Sequence, residues 1–245
     1  MRLDKFLADC GVGTRSELKK RIRGGGITVD GKPVCKPETA VSPETSVVTV
    51  DGREVRYRKF IYLMLHKPAG YLSATWDRKQ PTVLDLVPEE YLHFQPFPVG
   101  RLDIDTEGLC FLTNDGGLAH RLLSPVWHVP KTYFAKVSLP LAEEAKERFR
   151  EGIVLPDGTK TKPAQLEMVS KTEALITIYE GKFHQVKRMV QAVGSEVTYL
   201  KRLTMGPLRL EDTLPVGAVR ELTEAEQKDL FEAVTRKEED HDSQD

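Results

Sequence analysis

The chemistry this 245-residue chain could do is concentrated in one run, Gly100-Arg101-Leu102-Asp103-Ile104-Asp105-Thr106-Glu107-Gly108-Leu109. Two carboxylates, Asp103 and Asp105, stand two residues apart behind an arginine. A carboxylate in such a segment can attack an electrophilic carbon or stabilise a cationic sugar centre. Residues 97–99 and 109–113 read as short apolar strands, so the polar decapeptide is a loop held between them, where reactive groups are usually carried. Asp, Thr and Gly are also ordinary turn residues, and spacing alone weighs the two readings about equally. Carboxylates at i and i+2 share a face in strand-like backbone, as a glycoside hydrolase could use. That chemistry leaves the basic N-terminal region unexplained. It also wants stacking tryptophans near the motif, and the chain has only Trp76 and Trp127.

The elements that must position this loop can be read from periodicity. Leu3, Phe6, Leu7 and Cys10 have the spacing of a short amphipathic helix. Thr14 and Glu17 form a capping box for a second helix that turns Leu18 and Ile22 inward and sets Arg15, Lys19 and Arg23 on one solvent stripe. Gly24-Gly25-Gly26 stops it. Residues 27–34 then read as a hairpin about Asp30-Gly31, and residues 47–52 as a further strand and turn. Residues 53–59, with four basic residues against Glu54, read as a charged connector. Beyond it come a strand from Phe60 to Leu65, a helix up to Leu123 and a strand over 131–137 with Tyr133, Ala135 and Val137 on one face. An exposed helix over 141–150, a buried strand over 175–179 and a helix from His184 follow. In that last helix Val186, Met189, Val190 and Val193 form the apolar stripe, His184, Arg188 and Gln191 lie opposite, and Lys187 sits on the flank. Strands near 199–203 and 208–210 precede a helix capped by Thr223 and ending near Arg236. Few βα alternations in this order indicate a mostly antiparallel α+β domain.

Hydrophobic content of 40% and charged content of 30% are those of a globular protein, with length for one large domain or two unequal ones. No apolar run nears the ~20 residues that span a bilayer. The N-terminus carries an acid with no long apolar core behind it, unlike a secretory signal. Three scattered cysteines read as reduced thiols of a cytosolic protein, and neither they nor the six histidines have metal-ligand spacing. The net charge of -1 hides a polarity: residues 1–36 hold nine Lys/Arg against four Asp/Glu, and residues 211–245 hold four against twelve. The near-neutral total therefore does not argue against a nucleic-acid partner.

Arg101-Leu102-Asp103, with Thr106 and Gly108-Leu109 behind it, resembles the central motif of the RNA pseudouridine synthases. It is most similar to the branch carrying an N-terminal S4 RNA-binding domain. The two helices and hairpin, with Arg2 to Leu7 at the front and Val29 to Val34 at the back, resemble that domain over about the first 50 residues. Leu65 to Gly70 resembles the opening of the catalytic domain. Lys131-Thr132-Tyr133 resembles the motif whose tyrosine stacks on the flipped base and is a proposed proton acceptor. The run Gly181 to Met189 resembles the motif whose basic residue, here Lys187, pairs with the catalytic aspartate.

The resemblance implies an α+β chain with an S4-like domain at 1–52, a charged linker at 53–59, a mostly antiparallel mixed-sheet catalytic domain at 60–236 and an acidic polar tail at 237–245. It implies catalysis by Asp103, Tyr133 and Lys187, with Arg101 filling the position the nucleotide vacates and Arg15, Lys19 and Arg23 on RNA phosphates. Asp105 is left to local hydrogen bonding. Isomerising uridine oxidises nothing, so neither a cofactor nor a metal is expected. The implied partner is ribosomal RNA, naked or pre-ribosomal, met by a cytoplasmic monomer with no membrane contact. The run from Asn114 to Pro125, together with Phe183 to Met189, is most similar to the small-subunit members, which implies uridine 516 of 16S rRNA. Large-subunit (23S) synthases and a non-catalytic S4-type RNA-binding factor are the alternatives.

Overall fold

The computed structural model describes residues 1–241, with side chains through residue 235. The chain divides into two compact units, Met1–Ile61 with Pro88–Pro96, and Tyr62–Val87 with Phe97 onward.

In the first unit, helices α1 (Leu3–Asp9) and α2 (Arg15–Gly24) precede strands β1 (Ile27–Val29), β2 (Lys32–Pro33), β3 (Val48–Val50) and β4 (Arg53–Val55). The capping box is present: Thr14 Oγ1 accepts from Glu17 N, and Thr14 N donates to the Glu17 carboxylate at 2.9 Å. Leu3, Phe6 and Leu7 of α1 meet Leu18 and Ile22 of α2 over Ile27, Val29, Val48 and Val50 of the sheet. The antiparallel order is β2-β1-β3-β4. Both of its tight hairpins turn on Asp-Gly pairs with left-handed backbone, φ 51° and 76° at Asp30-Gly31 and 51° and 80° at Asp51-Gly52. Two-residue loops of that hand match the twist of the strands they join. Two expectations need correcting. Arg53–Val55 is a sheet strand rather than part of a linker, because the second Asp-Gly turn folds it back onto β3 with Val50 opposite Arg53. Pro88–Pro96, containing the short helix α3 (Glu89–Leu92), belongs to this unit and not to the domain expected over 60–236. It packs where Gly11 leaves room: a Cβ there would meet the His93 ring at 2.6 Å.

The second unit is built on β5 (Tyr62–Lys67), β6 (Phe97–Pro98), β7 (Glu107–Thr113), β8 (Lys131–Val137), β9 (Gln165–Met168), β10 (Glu173–Ile178), β11 (Val197–Met205), β12 (Leu208–Arg209) and β13 (Val219–Glu221). Helices α4 (Gly116–Leu123), α5 (Glu144–Glu151), α6 (Gln185–Ala192) and α7 (Glu224–His241) complete it. The sheet runs β13-β5-β7-β11-β8-β10-β9, with β6 on β7 and β12 on β11. Among the described strands only β7 and β11 pair in parallel, so the architecture is α+β with a mostly antiparallel mixed sheet. Tyr133, Ala135 and Val137 are buried on one face of β8, as their alternation requires. Helix α7 runs five residues past the end expected at Arg236; residues 242–245 of the acidic tail lie outside the described residues. Among the described residues no helix is long and apolar enough to cross a membrane.

Candidate active site

The decapeptide singled out from the sequence spans the connection from β6 and the first three residues of β7, and its backbone is tied down on several sides. The Ser73 hydroxyl accepts from Leu102 N at 3.0 Å and donates to Leu102 O at 2.9 Å. Gly70 N donates to Ile104 O at 2.7 Å, and Thr106 N closes a turn onto Asp103 O at 3.0 Å. Beneath the loop lies Lys67, with no exposed surface. Its Nζ faces four carbonyls, Thr106 O at 2.8 Å, Pro68 O at 3.0 Å, Asp103 O at 3.2 Å and Ile104 O at 3.3 Å. An ammonium has only three N–H donors, so some of these bonds are shared. Burial pushes the Lys67 pKa down to about 8 although the nearby carboxylates of Asp105 and Asp103 favour its protonated form. Gly108 lets β7 approach β11: its φ is +106°, and a Cβ would meet Arg202 O at 2.2 Å. Any side chain there would push the loop out of register.

Asp103, a quarter exposed, is met by Lys187 Nζ at 3.1 Å on Oδ2 and by His184 Nε2 at 3.6 Å on Oδ1. Lys187 also holds Asp105 Oδ1 at 2.6 Å. The assignment of Asp105 to local hydrogen bonding is therefore wrong. Its partner lies 82 residues away, and both carboxylates share one ammonium. Lys187 is delivered by the first turns of α6, which bury Val186, Met189 and Val190 and so set the helix rotation. Gln185 fixes its start, accepting from Lys182 N at 2.8 Å and donating to Glu180 at 3.1 Å. Burial opposes the charge on Lys187, but hydrogen bonds to Asp105 and Asp103 outweigh it and raise its pKa. Burial likewise opposes the Asp105 carboxylate, and the bond from Lys187 prevails and lowers its pKa. A carboxylate held beside such a cation is positioned to meet an electrophilic carbon.

Tyr133 is 7% exposed on β8. It belongs to one row across the sheet, in which Ile176 faces Tyr133, Tyr133 faces Arg202, Arg202 faces Gly108 and Gly108 faces Lys67. The row links Tyr133 to the strand that leaves the Asp103 loop. Arg202 is 2% exposed, and its Nε donates to Leu109 O at 2.7 Å. Its Nη2 and Thr106 Oγ1 are buried with no hydrogen-bond partner among the described residues. Arg101 stands exposed on the loop itself. Arg15, Lys19 and Arg23 are exposed along α2 of the first unit, as the stripe requires.

The site thus joins Asp103 to Lys187, and the sequence reading missed Lys67, Ser73, His184 and Arg202 as its supports. His184 precedes α6 in left-handed backbone, so helical spacing from Lys187 gave no signal for it. Among the described residues no group of three His, Cys, Asp or Glu could hold a metal.

Two aspartates sharing one lysine on a braced loop, in an α+β unit that follows a small helix-and-hairpin unit with a basic helix, fit the class of RNA-modifying enzymes. Residues 61–192 match the family model described as RNA pseudouridylate synthase, and residues 1–47 match the S4 domain. The chain belongs to the RNA pseudouridylate synthase family, and is an isomerase with an N-terminal S4 domain. It is 51% identical over 230 residues to an uncharacterised RNA pseudouridine synthase of Bacillus subtilis, covering 92% of this chain and 96% of the relative. It is 43% identical to the ribosomal small subunit pseudouridine synthase A of Vibrio cholerae, covering 92% and 97%. The Escherichia coli protein of the same name is 40% identical, covering 92% and 98%. A crystal structure of a pseudouridylate synthase superposes with a TM-score of 0.66 at 35% identity, covering 94% of this chain and 99% of the other.

Proposed function

We propose that this enzyme converts one uridine of ribosomal RNA, uridine 516 of the 16S molecule, to pseudouridine, acting as a cytoplasmic monomer on naked or pre-ribosomal RNA. The N1–C1′ bond breaks, the uracil turns, the C5–C1′ bond forms, and the proton on C5 is lost as N1 gains one. Electrons balance within the substrate, so no cofactor is required. Asp103 is the carboxylate at C1′, either as nucleophile or as stabiliser of an oxocarbenium-like centre. Lys187 pairs with it at 3.1 Å. Tyr133 holds the flipped base and takes its proton, and Arg101 enters the gap left in the RNA. Arg15, Lys19 and Arg23 hold phosphates, which position the RNA without reading sequence. The observation that carries this reading is the 3.1 Å contact between Lys187 and Asp103 on the loop braced by Lys67. The small-subunit names of the Vibrio and Escherichia relatives support the choice of target.

The test is pseudouridine mapping of 16S and 23S rRNA from a strain lacking the gene, with and without a plasmid copy. Loss at position 516 alone, restored by the parent and not by Asp103→Asn, is expected. An intact position 516 with loss at a 23S site would overturn the target, and unchanged maps would overturn the activity on ribosomal RNA.

A further inference from the structure

We propose that Phe183 and His184 form a stacking platform for an unpaired base of the RNA that flanks the target uridine. The inference rests on the proposed activity toward RNA and adds a contact to it. Phe183 is 70% exposed, a large apolar ring left in solvent at the entry to α6. Its ring lies on the imidazole of His184, centroids 3.8 Å apart and planes 18° from parallel. One face of Phe183 is thus taken, and its exposure leaves the other open to a third flat group.

The turn that presents this pair is held from both ends. His184 is in the left-handed region at φ 47°, unusual for a residue with a side chain. Arg188 Nη1 donates back to Phe183 O at 3.4 Å, and Lys182 N is held by Gln185 at 2.8 Å. His184 Nε2 sits 3.6 Å from Asp103 Oδ1, so the stack starts at the reacting carboxylate. A base on the open face of Phe183 would lie about one further stacking step of ~3.4 Å out, a distance that suits a neighbouring nucleotide rather than the one being isomerised. Lys182 and Arg188 on the same turn are already paired with Glu180 and Asp157, so the contact on offer here is the ring face rather than free charge. A lone ring is far smaller than the apolar core of a stable protein contact, and it is the size of one base.

The experiment uses the full chain and an rRNA transcript that the parent modifies, with 2-aminopurine placed one nucleotide to either side of the modified uridine. Binding of the parent is expected to quench the fluorescence on one side. Phe183→Leu should abolish the quench and raise KM about tenfold, with the loss falling on KM rather than kcat, while Phe183→Trp should keep both close to the parent. An active parent whose Phe183→Leu variant keeps the quench and the KM overturns the platform alone. A parent that makes no pseudouridine in any rRNA overturns the proposed function and the platform with it.

Discussion

The exposed stripe of α2 and the braced loop of the second unit use positive charge in opposite ways. Arg15, Lys19 and Arg23 stand in solvent, where charge acts over about a Debye length and is weakened by salt. Lys187 and Lys67 are three-quarters and wholly withdrawn from solvent. Each faces acceptors of fixed position, carboxylates for Lys187 and carbonyls for Lys67. Exposed charge can attract many RNA surfaces but places no atom to within an ångström. Buried charge does the reverse, since it is tolerated only where its partners are already in place. The first arrangement suits affinity and the second suits chemistry.

Substitutions can break or sharpen that division. The largest effect is expected for Asp103→Asn, which keeps the shape and removes the charge: isomerisation should fall to background while RNA binding stays near the parent's. Turnover within tenfold, only about 1.4 kcal/mol of barrier, would show that the charge is not what the loop provides. Next is Tyr133→Phe. The ring keeps its stacking surface and loses the hydroxyl, so RNA should bind as to the parent and react at least about a hundredfold more slowly in single-turnover assays. Normal turnover would leave Tyr133 a platform without a proton-transfer role.

A smaller, pH-dependent effect is expected from Lys67. Its pKa is lowered from 10.5 to about 8 by burial, so the folded protein releases this proton before the unfolded chain does. Between those two values the unfolded state binds more protons, and the contribution of Lys67 to folding stability therefore rises with pH. Activity should move the other way, declining as pH passes about 8 and the loop carbonyls lose their ammonium. Lys67→Met should lower kcat at neutral pH and remove that alkaline limb. A limb that persists in Lys67→Met belongs to another group. The smallest effect on turnover at saturating RNA belongs to the triple change Arg15→Gln, Lys19→Gln, Arg23→Gln. Binding should weaken at low salt, and the slope of log affinity against log salt should flatten by about one for each phosphate that the helix no longer neutralises. An unchanged slope would remove α2 from the RNA-binding surface, and a kcat loss comparable to that of Asp103→Asn would break the division altogether.

Local features of the chain were legible without the fold. The Thr14–Glu17 box, the Asp-Gly turns, the inward face of β8 and the apolar stripe of α6 all depend on residues within about four positions of one another, where helix and strand periods act. The motif resemblance also picked out Asp103 and Lys187, which the structure brings together at 3.1 Å. The tertiary structure alone decided the rest. Lys67 reaches Thr106 across 39 residues, and Asp105 reaches Lys187 across 82. Arg202 enters the Tyr133 row only through the register of the one parallel pair among the described strands. Strands β9 and β13 lie at the two sheet edges and carry too few residues to show a period, and Pro88–Pro96 folds back to a unit that the chain had already left. No local pattern encodes such pairings. They follow from which strands lie side by side once the apolar faces are buried, and burial then determines which polar groups are withdrawn from water and must find partners.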